Sequence, residues 1–299
     1  YVHIAPFISE MAEYADIMLP TTTFLEEWGY DHSPPGSGFA EAKIKQPVVE
    51  PLAEARCITA IIFDIANKLE GTTARFFTSI GSDAQSFVRY RTKTIVPWVE
   101  YCKRGIWIGP EYQHHKYARI FKTPSKKFEF CSKNLENLLE KQGIEIESGT
   151  NRLLPHYEEC QFLGAKENFP LILSTYQPLL NIDNGSQNYP WAQEVFMVQY
   201  GVGWTNFAEI NDKTARALGI NDKDQVWIES PFGRLMTRAR VIQGIHPQVV
   251  SISQGQGHYA GGKWQVDIGV NPNEIIGTDQ DHLSGQPALF NTRVKIYKA

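Results

Sequence analysis

Five strand-length runs share the last part of the chain, residues 169–299, and any fold must bury their apolar faces together. They lie at 171–175, 225–229, 234–241, 249–253 and 292–297, each rich in β-branched or apolar residues and bounded by Gly, Pro, Asn or Asp. One short helix interrupts them. Asn211 suits its N-cap, Ala215 and Leu218 fall three apart on one face, and Gly219 stands where a left-handed C-terminal stop belongs. A closed or nearly closed β-barrel with long loops is the economical reading, because closure removes unpaired strand edges.

The barrel loops hold the unusual residues. Gln254-Gly255-Gln256-Gly257-His258-Tyr259-Ala260-Gly261-Gly262 follows directly on one strand, and Thr175-Tyr176-Gln177-Pro178 closes another. Glycine lets backbone N–H groups approach a ligand, while Gln, His and Tyr supply directional hydrogen bonds. That mixture suits a large polar heterocycle better than a simple anion. The segment Gly255-Gln256-Gly257-His258-Tyr259-Ala260 also matches the dinucleotide pattern G-x-G-x-x-G/A, with Glu274 about twenty residues on. We discount that match, because Gly261 and Gly262 stand where a helix would have to begin.

The rest of the chain reads as α/β. Residues 2–7 and 15–20 are strands around a helical turn at 9–14. The loop 29–38 contains Pro34-Pro35-Gly36 and cannot be regular. Ile58, Ile61, Ile62, Ile65 and Leu69 form the apolar stripe of a helix that Gly71 ends. Helices are expected at 83–91 and 95–103, and a strand at Phe128-Glu129-Phe130. Ser132 then caps a helix that turns Leu135, Leu138 and Leu139 inward and stops at Gly143. Polar sequence at 145–168 is the expected linker, which divides the chain into 1–165 and 166–299.

A net charge of −4 gives no reason to expect nucleic acid or an anionic membrane as partner. No run approaches the ~20 apolar residues of a membrane span. Cys57, Cys102, Cys131 and Cys160 are too far apart for a zinc or iron–sulfur site, and buried free thiols are the plain expectation, with disulfides left open. His114-His115 is a poor metal pair, since adjacent side chains diverge. The aromatics from Trp98 to Tyr117 read as core or subunit contact rather than substrate site. The chain starts at Tyr1 in what reads as the middle of a fold, and a part of a longer polypeptide is expected.

Glu10-Met-Ala-Glu-Tyr-Ala-Asp16-Ile-Met-Leu-Pro20 with Thr23-Phe-Leu-Glu26, then Gln46-Pro-Val-Val-Glu-Pro51 with Glu54-Ala-Arg56, resemble two landmarks of the molybdopterin oxidoreductases of the dimethyl sulfoxide reductase family. Lys122-Thr-Pro-Ser-Lys-Lys-Phe-Glu-Phe130-Cys-Ser132 is similar to a third, although Lys126 replaces a usual glycine. Ile210-Asn211 through Ala215, Leu218-Gly219-Ile220 and Asp224-Gln-Val226 resemble a fourth, with Lys223 in place of glycine. The resemblance implies that the last part is a six-stranded double-psi barrel binding molybdopterin guanine dinucleotide with Mo or W. Residues 1–165 would close an α/β domain.

The resemblance also implies what lies elsewhere. The metal ligand would lie upstream, and any 4Fe-4S clusters upstream or in a partner, so this chain alone would be redox-silent. Its partners would be the upstream part of the same large subunit, an iron–sulfur electron-transfer subunit and a membrane quinone-binding subunit. The loop, with Asn271-Pro272 and Ser284-Gly285, looks most like sulfur-compound and menaquinone-reductase-type branches. A periplasmic or periplasm-facing complex is then expected, with a cytoplasmic one as the alternative. The expected activity is respiratory reduction of a sulfur compound or similar oxyanion. A scaffold subunit of a quinone-reducing complex that binds no molybdenum is the rival.

The candidate cofactor contacts are Thr175, Tyr176, Gln177, Gly255, Gln256, Gly257, His258, Tyr259, Asn271 and Asp16. Two of these carry open alternatives. His258 either touches pterin or phosphate or is a structural hydrogen-bonder, and Asp16 either contacts cofactor or caps its own backbone.

Overall fold

The computed structural model describes residues 1–32, 38–113, 121–144, 153–181, 185–200, 204–281 and 284–299, with backbone alone for 196–200. Pro34-Pro35-Gly36, His114-His115, Tyr117 and residues 145–152 of the expected linker lie outside them. The chain forms two compact units. One comprises Val2–Pro6 and Asp16–Glu158; the other comprises Tyr1, Phe7–Ala15 and Glu159–Ala299.

In the α/β unit, β1 (Val2–Ala5) and β2 (Ile17–Pro20) pair in parallel. Next come β3 (Gly29–Asp31), β4 (Phe39–Lys45), α1 (Ile58–Lys68), α2 (Thr72–Ile80), α3 (Ala84–Thr92), α4 (Trp98–Arg104), β5 (Ile106–Glu111) and α5 (Lys133–Lys141). Strands β3, β4 and β5 make an antiparallel sheet. Asp83 caps α3 by accepting from the Ser86 N–H, and Ser132 caps α5 by accepting from the Leu135 N–H.

The helical core forms around Phe63, whose ring meets Phe77 and Phe87 edge-on at centroid distances of 5.2 and 6.4 Å. Turning Phe63, Ile61 and Ala66 inward leaves Ile58, Ile62, Ile65 and Leu69 of the expected stripe exposed. The expected stop Gly71 is the N-cap of a further helix, α2. In α5, Leu139 is buried and Leu138 is not. Phe128 to Phe130 is not a strand: among the described residues no strand pairs with it, and Phe128 packs edge-on against Phe121 and Phe130. All four cysteines are free, but Cys131 and Cys160 are exposed rather than buried.

The second unit is the expected barrel. It runs β6 (Leu171–Tyr176), α6 (Pro190–Tyr200), β7 (Phe207–Asn211), α7 (Asp212–Leu218), β8 (Gln225–Glu229), β9 (Arg234–Ile242), β10 (Val249–Ser253) and β11 (Arg293–Lys298). The sheet closes in the order β10-β6-β11-β8-β9-β7. Two pairs, β6 with β10 and β7 with β9, are parallel, and the others are antiparallel.

Alternation sets what lies inside. Leu171, Leu173, Ala208, Ile210, Val226, Ile228, Val250, Ile252, Val294 and Ile296 all point to one closed core. Burying each large aliphatic side chain is worth about 1.5–3 kcal/mol over leaving it exposed. Helix α7 is capped as expected, with Asn211 Oδ1 accepting from the Lys213 N–H and Gly219 left-handed at φ 67°.

Two elements go beyond the five strands and one helix read from the residues themselves, although the family resemblance implied six strands, as found. The sixth strand, β7, is written with Ala208 and Asn211, both poor strand formers. Helix α6 opens at Pro190, a favoured first position, but buries Gln193 where an apolar stripe would be looked for.

Candidate functional site

Because β6 and β10 run parallel in adjacent positions, their carboxyl ends emerge side by side, with Ile252 opposite Thr175 and Ser253 opposite Tyr176. The two loops singled out from sequence therefore start from one end of the barrel. They are tied at once: the Gln254 N–H donates to the Tyr176 carbonyl at 2.8 Å, and Gln254 Nε2 donates to Thr175 Oγ1 at 2.8 Å. Thr175 is buried, the Tyr176 hydroxyl donates to Glu209 Oε1 at 3.3 Å, and Gln177 is exposed.

The loop backbone turns through two left-handed glycines, Gly255 at φ 91° and Gly257 at φ 82°. A Cβ on Gly257 would lie 2.2 Å from the Asn271 nitrogen and 2.5 Å from the Val270 carbonyl carbon, so the loop lies directly against residues 270–271. Asn271 caps the following 3₁₀ turn by accepting from the Asn273 N–H at 3.0 Å.

Beneath the loop runs a ladder of buried primary amides, of which the sequence reading singled out Gln256 but not Gln193, Gln187 or Asn181. Gln256 Nε2 donates to Gln193 Oε1 at 3.0 Å, and Gln193 Nε2 donates to the Gln187 carbonyl at 3.0 Å. Gln187 Nε2 in turn donates to Asn181 Oδ1, and Asn181 Nδ2 reaches the Gln254 carbonyl at 3.2 Å. All four side chains are buried, Gln193 with 1% exposure. Along this ladder Gln256 Oε1 is left buried with no partner among the described residues.

His258 Nδ1 lies 2.7 Å from Glu10 Oε1, a contact made within the barrel unit because Phe7–Ala15 belongs to it. His258 Nε2 is buried and meets no partner among the described residues. Burial alone would push the Glu10 carboxyl up. Hydrogen bonds from its own backbone N–H, from His258 and from the Tyr259 backbone outweigh burial and hold it below the ordinary value. Tyr259 is exposed, and its hydroxyl is pushed up by the hydrogen bond with Tyr14, then by desolvation and the nearby carboxylates Glu13 and Glu10.

Of the sequence candidates, Thr175, Tyr176, Gln177, Gly255, Gln256, Gly257, His258, Tyr259 and Asn271 fall in one neighbourhood of the barrel. Asp16 belongs to the α/β unit, just before β2. The arrangement offers a ligand a glycine-backed surface, an unsatisfied buried amide oxygen and an unsatisfied imidazole nitrogen. Each such orphan costs about 1–3 kcal/mol until something meets it. Among the described residues no group of three or more His, Cys, Asp or Glu is placed to hold a metal ion.

Comparison with known proteins gives concordant results. The molybdopterin dinucleotide binding domain family matches residues 171–293. The chain is 29% identical over 349 residues to the molybdopterin-containing subunit of arsenate respiratory reductase from Shewanella sp. (strain ANA-3), covering 99% of this chain and 41% of that protein. It is 27% identical over 285 residues to the molybdopterin-containing subunit of thiosulfate reductase from Salmonella typhimurium, covering 86% and 34%. The chain thus spans about two fifths or less of these relatives. In fold it is similar to acetylene hydratase from Pelobacter acetylenicus, with a TM-score of 0.71 and 21% identity over 94% of this chain and 38% of that one.

Proposed function

We propose, for a chain that belongs to the dimethyl sulfoxide reductase family of molybdopterin oxidoreductases and forms a C-terminal part of a large subunit, that its work is to hold molybdopterin guanine dinucleotide in a respiratory reductase. The observation that carries this reading is the loop Gly255–Tyr259. Its backbone has no room for side chains at the two glycines, and two of its buried atoms, Gln256 Oε1 and His258 Nε2, have no hydrogen-bond partner among the described residues. A pterin dinucleotide, with ring amines, carbonyls and phosphates, supplies the donors and acceptors these atoms lack.

In this reading Gly255 and Gly257 let the loop turn tightly against Asn181, Gln187, Val270 and Asn271, the Gly257 N–H donating to the Ile268 carbonyl, and Gln256 and His258 fix orientation. Thr175, Tyr176, Gln177, Tyr259 and Asn271 complete the contacts, and Asp16 contributes from the α/β unit. The cofactor, when bound, supplies electron and oxygen-atom chemistry; the protein orients it and excludes water. Residues 166–299 are the binding domain and 1–165 the end of the α/β domain. Relatives named for arsenate and thiosulfate reduction support an oxyanion or sulfur compound as substrate. An iron–sulfur partner subunit, a quinone-linked electron path and a periplasm-facing complex extend the same reading. No described helix is long and apolar enough to cross a membrane.

Metal and pterin analysis of the purified full-length protein tests the proposal. Stoichiometric molybdenum or tungsten with bound pterin dinucleotide is the expected result. A folded protein without either overturns it in favour of the scaffold reading.

A further inference from the structure

We infer that Glu10 is a positioning residue for His258: it accepts the Nδ1 proton, fixes the ring plane, and leaves Nε2 as the atom that meets the pterin dinucleotide. The inference rests on the reading above, that the Gly255–Tyr259 loop holds the cofactor, and adds a residue from far upstream in the sequence. The two side chains are 21% and 23% exposed, and the 2.7 Å contact is well within hydrogen-bond length. An ionised carboxylate can only accept, so the shared hydrogen belongs to Nδ1. Glu10 is suited to that part, because its hydrogen bonds keep it ionised more readily than an ordinary carboxylate.

Glu10 is itself held. It lies in the 3₁₀ turn Glu10–Tyr14, receives the Tyr259 backbone N–H, and is flanked by the hydrogen bond between the Tyr14 and Tyr259 hydroxyls. The ring is thereby gripped on the Nδ1 side alone. On the other side Nε2 is buried and has no partner among the described residues, which a settled structural histidine would not leave so. A carboxylate that orients an imidazole from behind sets its tautomer and direction; where the imidazole binds a metal, removing such a partner costs about 10–100-fold in affinity or activity, and the same geometry acts here on an organic ligand.

The test compares Glu10→Ala, Glu10→Gln, His258→Gln and the double variant Glu10→Ala/His258→Gln in the full-length protein. Two quantities are read: pterin dinucleotide retained after dialysis, and the thermal midpoint of the same preparations. Glu10→Ala should cut retention about tenfold or more. Glu10→Gln should keep most of it, since an amide oxygen still accepts from Nδ1. His258→Gln places an amide near the Nε2 position without needing a ring partner, so adding Glu10→Ala to it should change nothing further. Equal loss from Glu10→Ala in both backgrounds, a midpoint drop that His258→Gln does not remove, or full retention in Glu10→Ala overturns the inference. Gly257→Val separates the two claims. If it too keeps its pterin, the loop is not the binding site; if it loses pterin while Glu10→Ala does not, only the role of Glu10 falls.

Discussion

Asn206 and Val270 bond to each other twice: Asn206 Nδ2 donates to the Val270 carbonyl, and the Val270 N–H donates to Asn206 Oδ1, both at 2.8 Å. A side-chain amide here does what a neighbouring strand would do. The same Nδ2 also reaches the carbonyl of Ser253, the last residue of β10, at 2.8 Å. One buried side chain therefore fastens the start of the long loop to its return. Asn206→Ala should leave these backbone groups unsatisfied and lower stability by about 3 kcal/mol, read from denaturant unfolding. A loss under about 1 kcal/mol would mean that the clamp contributes little.

Gly257 in the loop and Gly244 in the turn between β9 and β10 differ in what they tolerate. Gly257→Ala puts a methyl group against backbone at a left-handed φ of 82°, where neither neighbour can retreat. Gly244 faces open space with nothing within 4 Å. Gly257→Ala should lower the thermal midpoint and deplete bound pterin, whereas Gly244→Ala should change stability by no more than about 0.5 kcal/mol. Equal behaviour of the two variants would show that the close approach at Gly257 is not a constraint.

The amide ladder gives a coupled pair. Gln193→Leu removes the acceptor of Gln256 Nε2, whose Oε1 is already alone, and should cost about 2–3 kcal/mol. Converting both Gln193 and Gln256 to Leu should cost less than the sum of the single changes, because no orphaned donor remains. Additive losses in that double-mutant cycle would show that the two glutamines act independently.

The pH response of the Glu10–His258 contact has a defined sign. The Glu10 carboxyl is lowered from 4.5 in the folded protein, so its contribution is fully present above 4.5 and fades as pH falls through the lower folded value. Asp224 and Glu229 are lowered too, by bonds from Asn221 and Lys298 and from Lys295 and Tyr297 respectively, and add to the acid sensitivity. The informative quantity is therefore a difference. The stability gap between the protein and Glu10→Gln, measured from pH 7 down to 3, should narrow on acidification; a constant gap would remove the ionised carboxylate from the account.

The barrel was legible because its strands announce themselves by alternation: Leu171 and Leu173, Val226 and Ile228, and Val250 and Ile252 are spaced to share one face. Strand β7 was not, since Ala208 and Asn211 carry no such signal until a parallel partner, β9, supplies it. The loop glycines and His258 could be read because their residue types are unusual together. Gln187, Gln193 and Asn206 could not: buried amides look like surface residues in a sequence. Glu10 stood within a recognised landmark, yet its partner lies 248 residues away and no local pattern encodes that pairing. The isoleucine stripe of α1 misled for a related reason. Periodicity marks an apolar face, but Phe63, a single larger ring, decides which face turns inward.

That separation of 248 residues also sets an order of events during biosynthesis. A ribosome adding about 5–20 residues per second needs roughly 12–50 s to pass from Glu10 to His258. Phe7–Ala15 must wait that long before the unit it belongs to can be completed, while Asp16–Glu158 is free to fold in the interval. The histidine therefore gains its carboxylate only after all the intervening residues have been made, and the loop takes its final form against a segment that was made well before it.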